Sequence, residues 1–397
     1  MKPEQFSVHN LRILYWSHFF EGINFLVPVM TLLYFQRGLS LADVFWTTIC
    51  WTIAVLIFEI PTGIIADRYG AKLSFIVGSL VGLSGKMILL FIHEPWSMYA
   101  YNIFWGISIT FFSGAMEAFI YDSLKETKQE HKMTEILGKL HSVSLIPMVV
   151  AFIIGPLLAK DLQADQFNLL ISLNILMQLI EIGLYLALKK PAHIENNNSS
   201  SLLQIKQDWH TIKNTPMLVR IFITFTLVFI CGTIIFGKME QPFLIGAGLP
   251  SSGLGFLYAG ATLICLLVSR RLDFFTSRFS HEHLMYATGA ITVFLLLIAS
   301  SLGQHLGMAI LVFLLLRLMH TIRVPVYSQL SNEYIPSGSR ATTLSMLSIW
   351  DAAFDVVLLS SFAFLSSYPS PLVYGACALI CAIGTLISIK RQGKMNN

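Results

Sequence analysis

Charged side chains are scarce in this 397-residue sequence, 12% in all, about half the share of a soluble globular domain. That shortage excludes a water-bathed fold with an ordinary polar surface. A nucleic-acid partner is excluded as well, because the 26 basic residues are divided among separate loops instead of forming one stripe. Patterned cysteine is also lacking. Cys50, Cys231, Cys265, Cys377 and Cys381 all fall within apolar runs, with neither a disulfide framework nor paired metal-ligand spacing. They read as small buried thiols, and neither a metal nor a cofactor is expected. The HExxH zinc site, the GxSxG nucleophile turn and a phosphate-cradling glycine loop are missing too, so an enzyme is not expected.

What the sequence does have is apolar length. Hydrophobic residues make up 55% of the chain, and twelve runs are long enough for a hydrocarbon core of about 30 Å. They cover roughly 11–35, 42–66, 73–92, 98–121, 136–159, 167–188, 218–245, 252–269, 284–302, 308–333, 342–364 and 372–389. The expectation is an all-α, multi-pass protein of twelve transmembrane helices in a lipid bilayer, a bacterial inner membrane. Positive loops stay in the cytoplasm. Placing both termini there leaves only Arg37 and Lys160 in outer loops and Lys86, Lys238, Arg317 and Arg323 within spans.

One long polar stretch divides the chain. Residues 189–216, with the run Asn196 to Ser201, have the composition of a cytoplasmic linker, and 202–213 alternate like a short helix on the membrane surface. It separates an N-terminal six-helix bundle, 1–188, from a C-terminal one, 217–397. Equal halves suggest an internal repeat, the usual plan of secondary transporters.

The loop after the second run reads Gly63-x-x-x-Asp67-Arg68-x-Gly70-x-Lys72. Gly63 suits close helix packing and Gly70 a tight turn. Asp67 is able to accept from a helix amino terminus, and Arg68 to reach carbonyls or a carboxylate. At that place among twelve spans, with a long central linker, the motif resembles the signature loop of the major facilitator superfamily, with Ala71 where the family more often has a basic residue. The resemblance implies two pseudo-symmetric bundles, a small-molecule substrate carried by alternating access, and a cytoplasmic gate at Gly63, Asp67, Arg68, Gly70 and Lys72. The other reading of the loop is a positive-inside anchor. Ala151-x-x-x-Gly155-Pro156 in the fifth run partly resembles the glycine-proline motif of proton-coupled exporters; the alternative is a proline-kinked helix.

Ionisable groups inside a membrane are costly, so each is a functional candidate. Glu21 falls near the midplane, with His18, Asn24 and Pro28 at helical spacings around it and Tyr15, Trp16, Phe19 and Phe20 nearby. In the fourth run Gly106, Thr110, Ser113 and Glu117 recur along one face, beside Trp105. Glu59 reads as a hydrogen-bonding residue near the loop. Lys86 and Glu181 read as snorkelling to the membrane surfaces, and Lys238 with Glu240 as a pair. In the tenth run Arg317, His320, Arg323 and Tyr327 share an arc, and Asp351 and Asp355 in the eleventh are one turn apart. The economical arrangement pairs Arg317 or Arg323 with Asp351 or Asp355.

Proton coupling is therefore expected at Glu21, Glu117, Asp351 and Asp355. Substrate binding is expected at His18, Asn24, Trp105, Arg317, His320, Arg323 and Tyr327. The function these candidates suit is a proton-coupled secondary transporter, acting as a monomer and exporting a small amphipathic drug or metabolite. The alternative is a proton-driven importer of an anionic or zwitterionic nutrient, metabolite or siderophore, with one arginine left to bind the anion. A third reading is a receptor or scaffold that has kept the carrier fold without transporting.

Overall fold

Backbone N–H and C=O groups in hydrocarbon find no water, which leaves helices as the economical way for single segments to cross. The computed structural model describes residues 3–126, 128–189, 215–335 and 340–389, and among these there are helices and no strands. The linker expected over 189–216, with its surface helix at 202–213, lies outside the described residues except at its ends. Among the described residues ten helices are long and apolar enough to cross a membrane, and two shorter apolar ones, Val27–Gln36 and Ser370–Leu386, belong to the first and twelfth runs.

Most spans are continuous. The second is Leu41–Tyr69, the third Ala71–Phe91, the fifth Met133–Leu158 and the sixth Ala164–Ala187. In the second half the eighth is Ser251–Ser269, the ninth His281–Leu302, the tenth Leu306–Tyr334, the eleventh Arg340–Leu365 and the twelfth Ser370–Leu386. The second helix ends where Gly70 takes φ 89°, a conformation that costs glycine little. Large side chains such as Ile146, Phe91 and Leu386, all more than 70% exposed, are what a lipid-facing surface requires.

The first, fourth and seventh spans depart from a regular α-helix. The first runs over Pro3–Glu21, breaks at residues 22–26, and resumes as a 3₁₀ turn at Val27–Val29 and a helix at Met30–Gln36. Pro28 brings no N–H, and its ring would collide with the carbonyl four residues earlier in a straight helix. Asn174 of the sixth span satisfies the break. Its Oδ1 accepts from the Phe25 N–H at 3.1 Å, and its Nδ2 donates to Asn24 Oδ1 at 3.1 Å, which also accepts from the Leu26 N–H. The fourth span breaks between Trp96–Thr110 and Ala115–Lys125, with Gly114 at φ 67°. Neighbouring hydroxyls take the carbonyls there: Thr62 donates to Thr110 O at 3.0 Å and Ser74 to Phe111 O at 2.6 Å. The seventh, Pro216–Gly246, contains a π-helical stretch at Ile230–Ile235.

The chain forms two compact units, Met1–Asn198 with Pro250–Ala259, and Ser199–Leu249 with Gly260–Asn397. The first has a core of Leu14, Phe75, Phe119, Leu124 and Tyr185; the second has one of Leu218, Phe222, Ile335 and Leu347. Within the first unit, small residues admit close neighbours. Gly78 and Gly82 lie against the fourth span, where Ser108 Oγ donates to Gly78 O at 2.7 Å. The broken first span needs the same allowance from the fifth: the Phe25 carbonyl sits where a Cβ on Gly155 would be. Gly155 thus has a packing role inside the glycine-proline motif.

Gly155→Ala is expected to destabilise the protein by about 1 to 3 kcal/mol through overpacking, read as a lower unfolding temperature in detergent. Gly183→Ala, in the sixth span with nothing within 4 Å of the added carbon, is expected to leave that temperature unchanged or slightly raised. Equal responses at the two positions would count against this account of Gly155.

Candidate functional site

In the first unit the break in the first span redistributes the expected polar stripe. Glu21 is the last residue of the helix Pro3–Glu21 and is exposed. Asn24 lies within the break and Pro28 past it, so neither continues the helical phase from Glu21, which corrects the single stripe read from spacing. His18 places its Nδ1 3.0 Å from Leu14 O, and Asn24 is occupied by Asn174 and the Leu26 N–H. The break at residues 111–114 likewise separates Gly106 and Thr110 from Glu117, so that face is not continuous either. Glu117 is exposed in the first turn of Ala115–Lys125. Ser113 Oγ donates to Glu59 Oε1 at 2.6 Å, the role expected of Glu59. Trp105 is 45% exposed and packs on Trp51 and Tyr101, with ring centroids 5.7 and 6.3 Å apart.

Lys86 and Glu181, expected to snorkel to the membrane surfaces, are both half-buried. Tyr185 Oη donates to Glu181 Oε1 at 2.9 Å. The sequence did carry a signal for this: Asn174, Gln178, Glu181 and Tyr185 follow one face of the sixth span at intervals of four, three and four residues.

The residues expected to form the inner gate divide in use. Gly70 makes the turn. Lys72 Nζ donates to Leu186 O at 2.8 Å and Leu188 O at 2.6 Å, capping the carboxyl end of the sixth span. His9 and Asn10 meet the same end, at Ala187 O and Lys189. A Cβ on Gly63 would meet nothing within 4 Å, so close packing does not explain that glycine. Asp67 and Arg68 are exposed, with Arg68 5.5 Å over the Tyr69 ring.

In the second unit the charge pairing differs from the economical one. Arg317 pairs with Glu240 at 2.6 Å and lies 4.8 Å over the Phe313 ring. Lys238 feels the charge of Glu240, and Glu240 also pairs with Arg317. Arg323 is 3% exposed and donates to Met285 O, Thr288 Oγ1 and Thr224 O at 2.6, 3.0 and 2.6 Å. The ion pair of Arg317 runs to the seventh span, and the bonds of Arg323 run to the seventh and ninth. Asp351 accepts from Thr226 Oγ1 at 2.9 Å, while Asp355 Oδ1 is buried with no partner among the described residues. The physical reason is competition: carbonyls and a hydroxyl from two neighbouring helices already occupy both terminal nitrogens of Arg323, and Glu240 neutralises Arg317.

Beside these aspartates runs an aromatic stack. Phe225 stacks on Tyr327 at 3.9 Å and on Phe229 at 5.3 Å, and Phe229 meets His320 at 5.3 Å. Phe222 adds edge contacts to Trp350 and Phe354 of the eleventh span. The π-helical stretch borders a narrow cleft lined by Phe229, Gly232, Thr233, Thr292, His320 and Arg323. π-Helical turns of this kind are frequent at functional sites. No group of three or more metal-ligating side chains occurs among the described residues.

Residues 14–354 match the model of the Major Facilitator Superfamily. An uncharacterized MFS-type transporter of Bacillus subtilis (strain 168), YxaM, is 25% identical over 309 residues, which are 74% of this chain and 73% of that protein. A crystal structure of a variant of the nucleoside transporter NupG is similar with a TM-score of 0.79 at 14% identity, covering 96% of this chain and 98% of that one. A D-xylose-proton symporter is similar with a TM-score of 0.70 at 13% identity, covering 96% and 97%. With the twelve apolar runs, the interrupted helices and the buried charges, these likenesses place the chain in the major facilitator superfamily: it is a multi-pass membrane transporter of a small molecule and not an enzyme.

Proposed function

We propose that this transporter is a proton-coupled exporter of small, planar amphipathic molecules of cationic character, working by alternating access as a monomer. We place it in a bacterial inner membrane with both termini in the cytoplasm. One observation carries the reading. In the second unit Arg317 is neutralised by Glu240 and Arg323 is held by Thr288 and two carbonyls, while Asp351 and Asp355 have no basic partner among the described residues. An importer of anions would use one of those arginines for its cargo. Two acids one turn apart, beside the stack of Phe225, Phe229 and Tyr327, favour a proton or an aromatic cation instead. Glu21 and Glu117, exposed in the first unit, are the matching proton-exchanging carboxylates. Asp67 and Arg68 act as the inner latch at the Gly70 turn.

The pairing of Arg317 has its own test. Removing one member of a fully buried ion pair costs about 3 to 5 kcal/mol, and the 36% exposure of the Arg317 side chain lowers the expected loss for Arg317→Met to about 2 kcal/mol. Combining it with Glu240→Gln is expected to recover most of the unfolding temperature. If Arg317→Met is rescued by Asp351→Asn instead, the pairing is with the eleventh span.

For transport, cells producing the protein are expected to accumulate less of a planar lipophilic cation such as ethidium, and to lose that advantage when the pH gradient is collapsed. Asp355→Asn is expected to slow efflux by about tenfold or more with unchanged amounts of protein in the membrane. Higher accumulation than in cells without the protein would reverse the direction. Efflux indifferent to the gradient would remove the coupling.

A further inference from the structure

We propose that the loop between the eighth and ninth spans docks an anionic phospholipid, with Arg271 and Arg278 on its phosphate and Phe274 and Phe279 against the start of its acyl chains. The corresponding loop of the first unit is built otherwise. There the second and third spans meet at Gly70 alone, and Lys72 is spent on the Leu186 and Leu188 carbonyls. In the second unit residues 270–280 separate Ser251–Ser269 from His281–Leu302 and hold the short helix Leu272–Thr276.

Arg270, Arg271 and Arg278 are all exposed in this loop, and so are Phe274 and Phe279, at 47% and 54%. Among the described residues these arginines make no ion pair and no side-chain hydrogen bond. The guanidinium carbon of Arg278 lies 3.8 Å over the Phe274 ring, a contact that orders the side chain and leaves its N–H donors unspent. The acids of the segment, Asp273 and Glu282, form no ion pair with the arginines either.

A membrane supplies what this surface lacks. Leu267, 64% exposed near the end of the eighth span, is suited to hydrocarbon, and Arg270 and Arg271 follow within about one helical turn. That step from apolar to cationic surface matches a phospholipid, whose acyl chains end at a phosphate. Aromatic rings are favoured at this level of a bilayer, and arginine reaches two phosphate oxygens at once. An anionic lipid fits better than a zwitterionic one, because it brings no cation of its own beside three guanidinium groups. A free phosphate would use the arginines but leave both phenylalanines bare. Such a site depends on membrane embedding alone, and neither transport direction nor coupling bears on it.

The test is native mass spectrometry of the full chain in detergent, titrated with phosphatidylglycerol or with phosphatidylcholine of the same acyl chains. The first phosphatidylglycerol is expected to bind about tenfold more tightly than the first phosphatidylcholine. Arg271→Gln and Arg278→Gln are each expected to weaken phosphatidylglycerol binding about fivefold, and Arg278→Lys to fall between parent and Arg278→Gln. Phe274→Ser with Phe279→Ser keeps every charge and is also expected to weaken it several-fold. Arg12→Gln, at an exposed arginine of the first span, is expected to leave it unchanged. A phosphatidylglycerol with a photoreactive headgroup is expected to label residues 267–282 of the parent, a readout that needs no variant to fold.

Equal affinities for the two lipids overturn the site, as does labelling confined to other segments. A loss in Arg12→Gln as large as in Arg271→Gln reduces the effect to general attraction by positive loops and overturns it too. Displacement of the lipid by millimolar inorganic phosphate, with the serine variants unchanged, assigns the arginines to a free phosphate and overturns the lipid.

Discussion

Hydrocarbon offers no hydrogen bonds, and the positions of the buried polar residues follow from that constraint. A helix that breaks in the membrane exposes backbone donors and acceptors, each costing several kcal/mol if left unmade. The first span breaks at residues 22–26 because the side-chain amide of Asn174 is there to close it. The fourth breaks at 111–114 because Thr62 and Ser74 take the carbonyls. The same rule accounts for Arg323, whose positive charge is stabilised by carbonyl dipoles and a hydroxyl and not by an acid. Polar residues here are few because an unmatched one is costly, and they cluster because matching needs a neighbour.

The two units hold their ionisable groups differently. In the first, Glu181 accepts from the Tyr185 hydroxyl at 2.9 Å, while Glu21 is exposed at the end of its helix. The second neutralises Arg317 with Glu240, and Asp351 and Asp355 have no basic partner among the described residues. Acid without a base in low dielectric is relieved by a proton or by a cationic ligand, which is the basis of the role proposed for the eleventh-span acids.

Fold and site were not equally legible in the sequence. The twelve runs were readable because hydrocarbon thickness sets a length that composition reveals. The Gly70 turn was readable because few residues other than glycine take its φ. The breaks were not: Pro28 marked the first span, but helical spacing carried Asn24 into phase with Glu21, and only the partner amide on a distant span decides where a helix parts. The arginine pairing is hidden for a related reason. Composition offers Arg317 either an acid of the eleventh span or Glu240, and Glu240, two residues from Lys238, reads as matched within its own span. Asn174, Gln178, Glu181 and Tyr185 form a stripe that points to a polar face on the sixth span. Side-chain partners across helices are a tertiary property, and periodicity within one helix leaves them open.

The irregular segments and the ionisable groups occur together, and one physical cause connects them. Glu21 closes the helix before the first break, Glu117 stands in the first turn after the second, and His320 faces Thr233 within the π-helical stretch at 3.5 Å. Where the hydrogen-bond ladder is already interrupted, a change in backbone direction breaks fewer bonds than in a regular helix. Where a carboxylate sits, protonation alters the free energy of exposing that segment to hydrocarbon by several kcal/mol. Placing the group that changes charge beside the segment that bends most easily lets the one act on the other without an intervening relay. A carrier assembled from otherwise rigid apolar helices needs such points, and in this chain the first, fourth and seventh spans supply them.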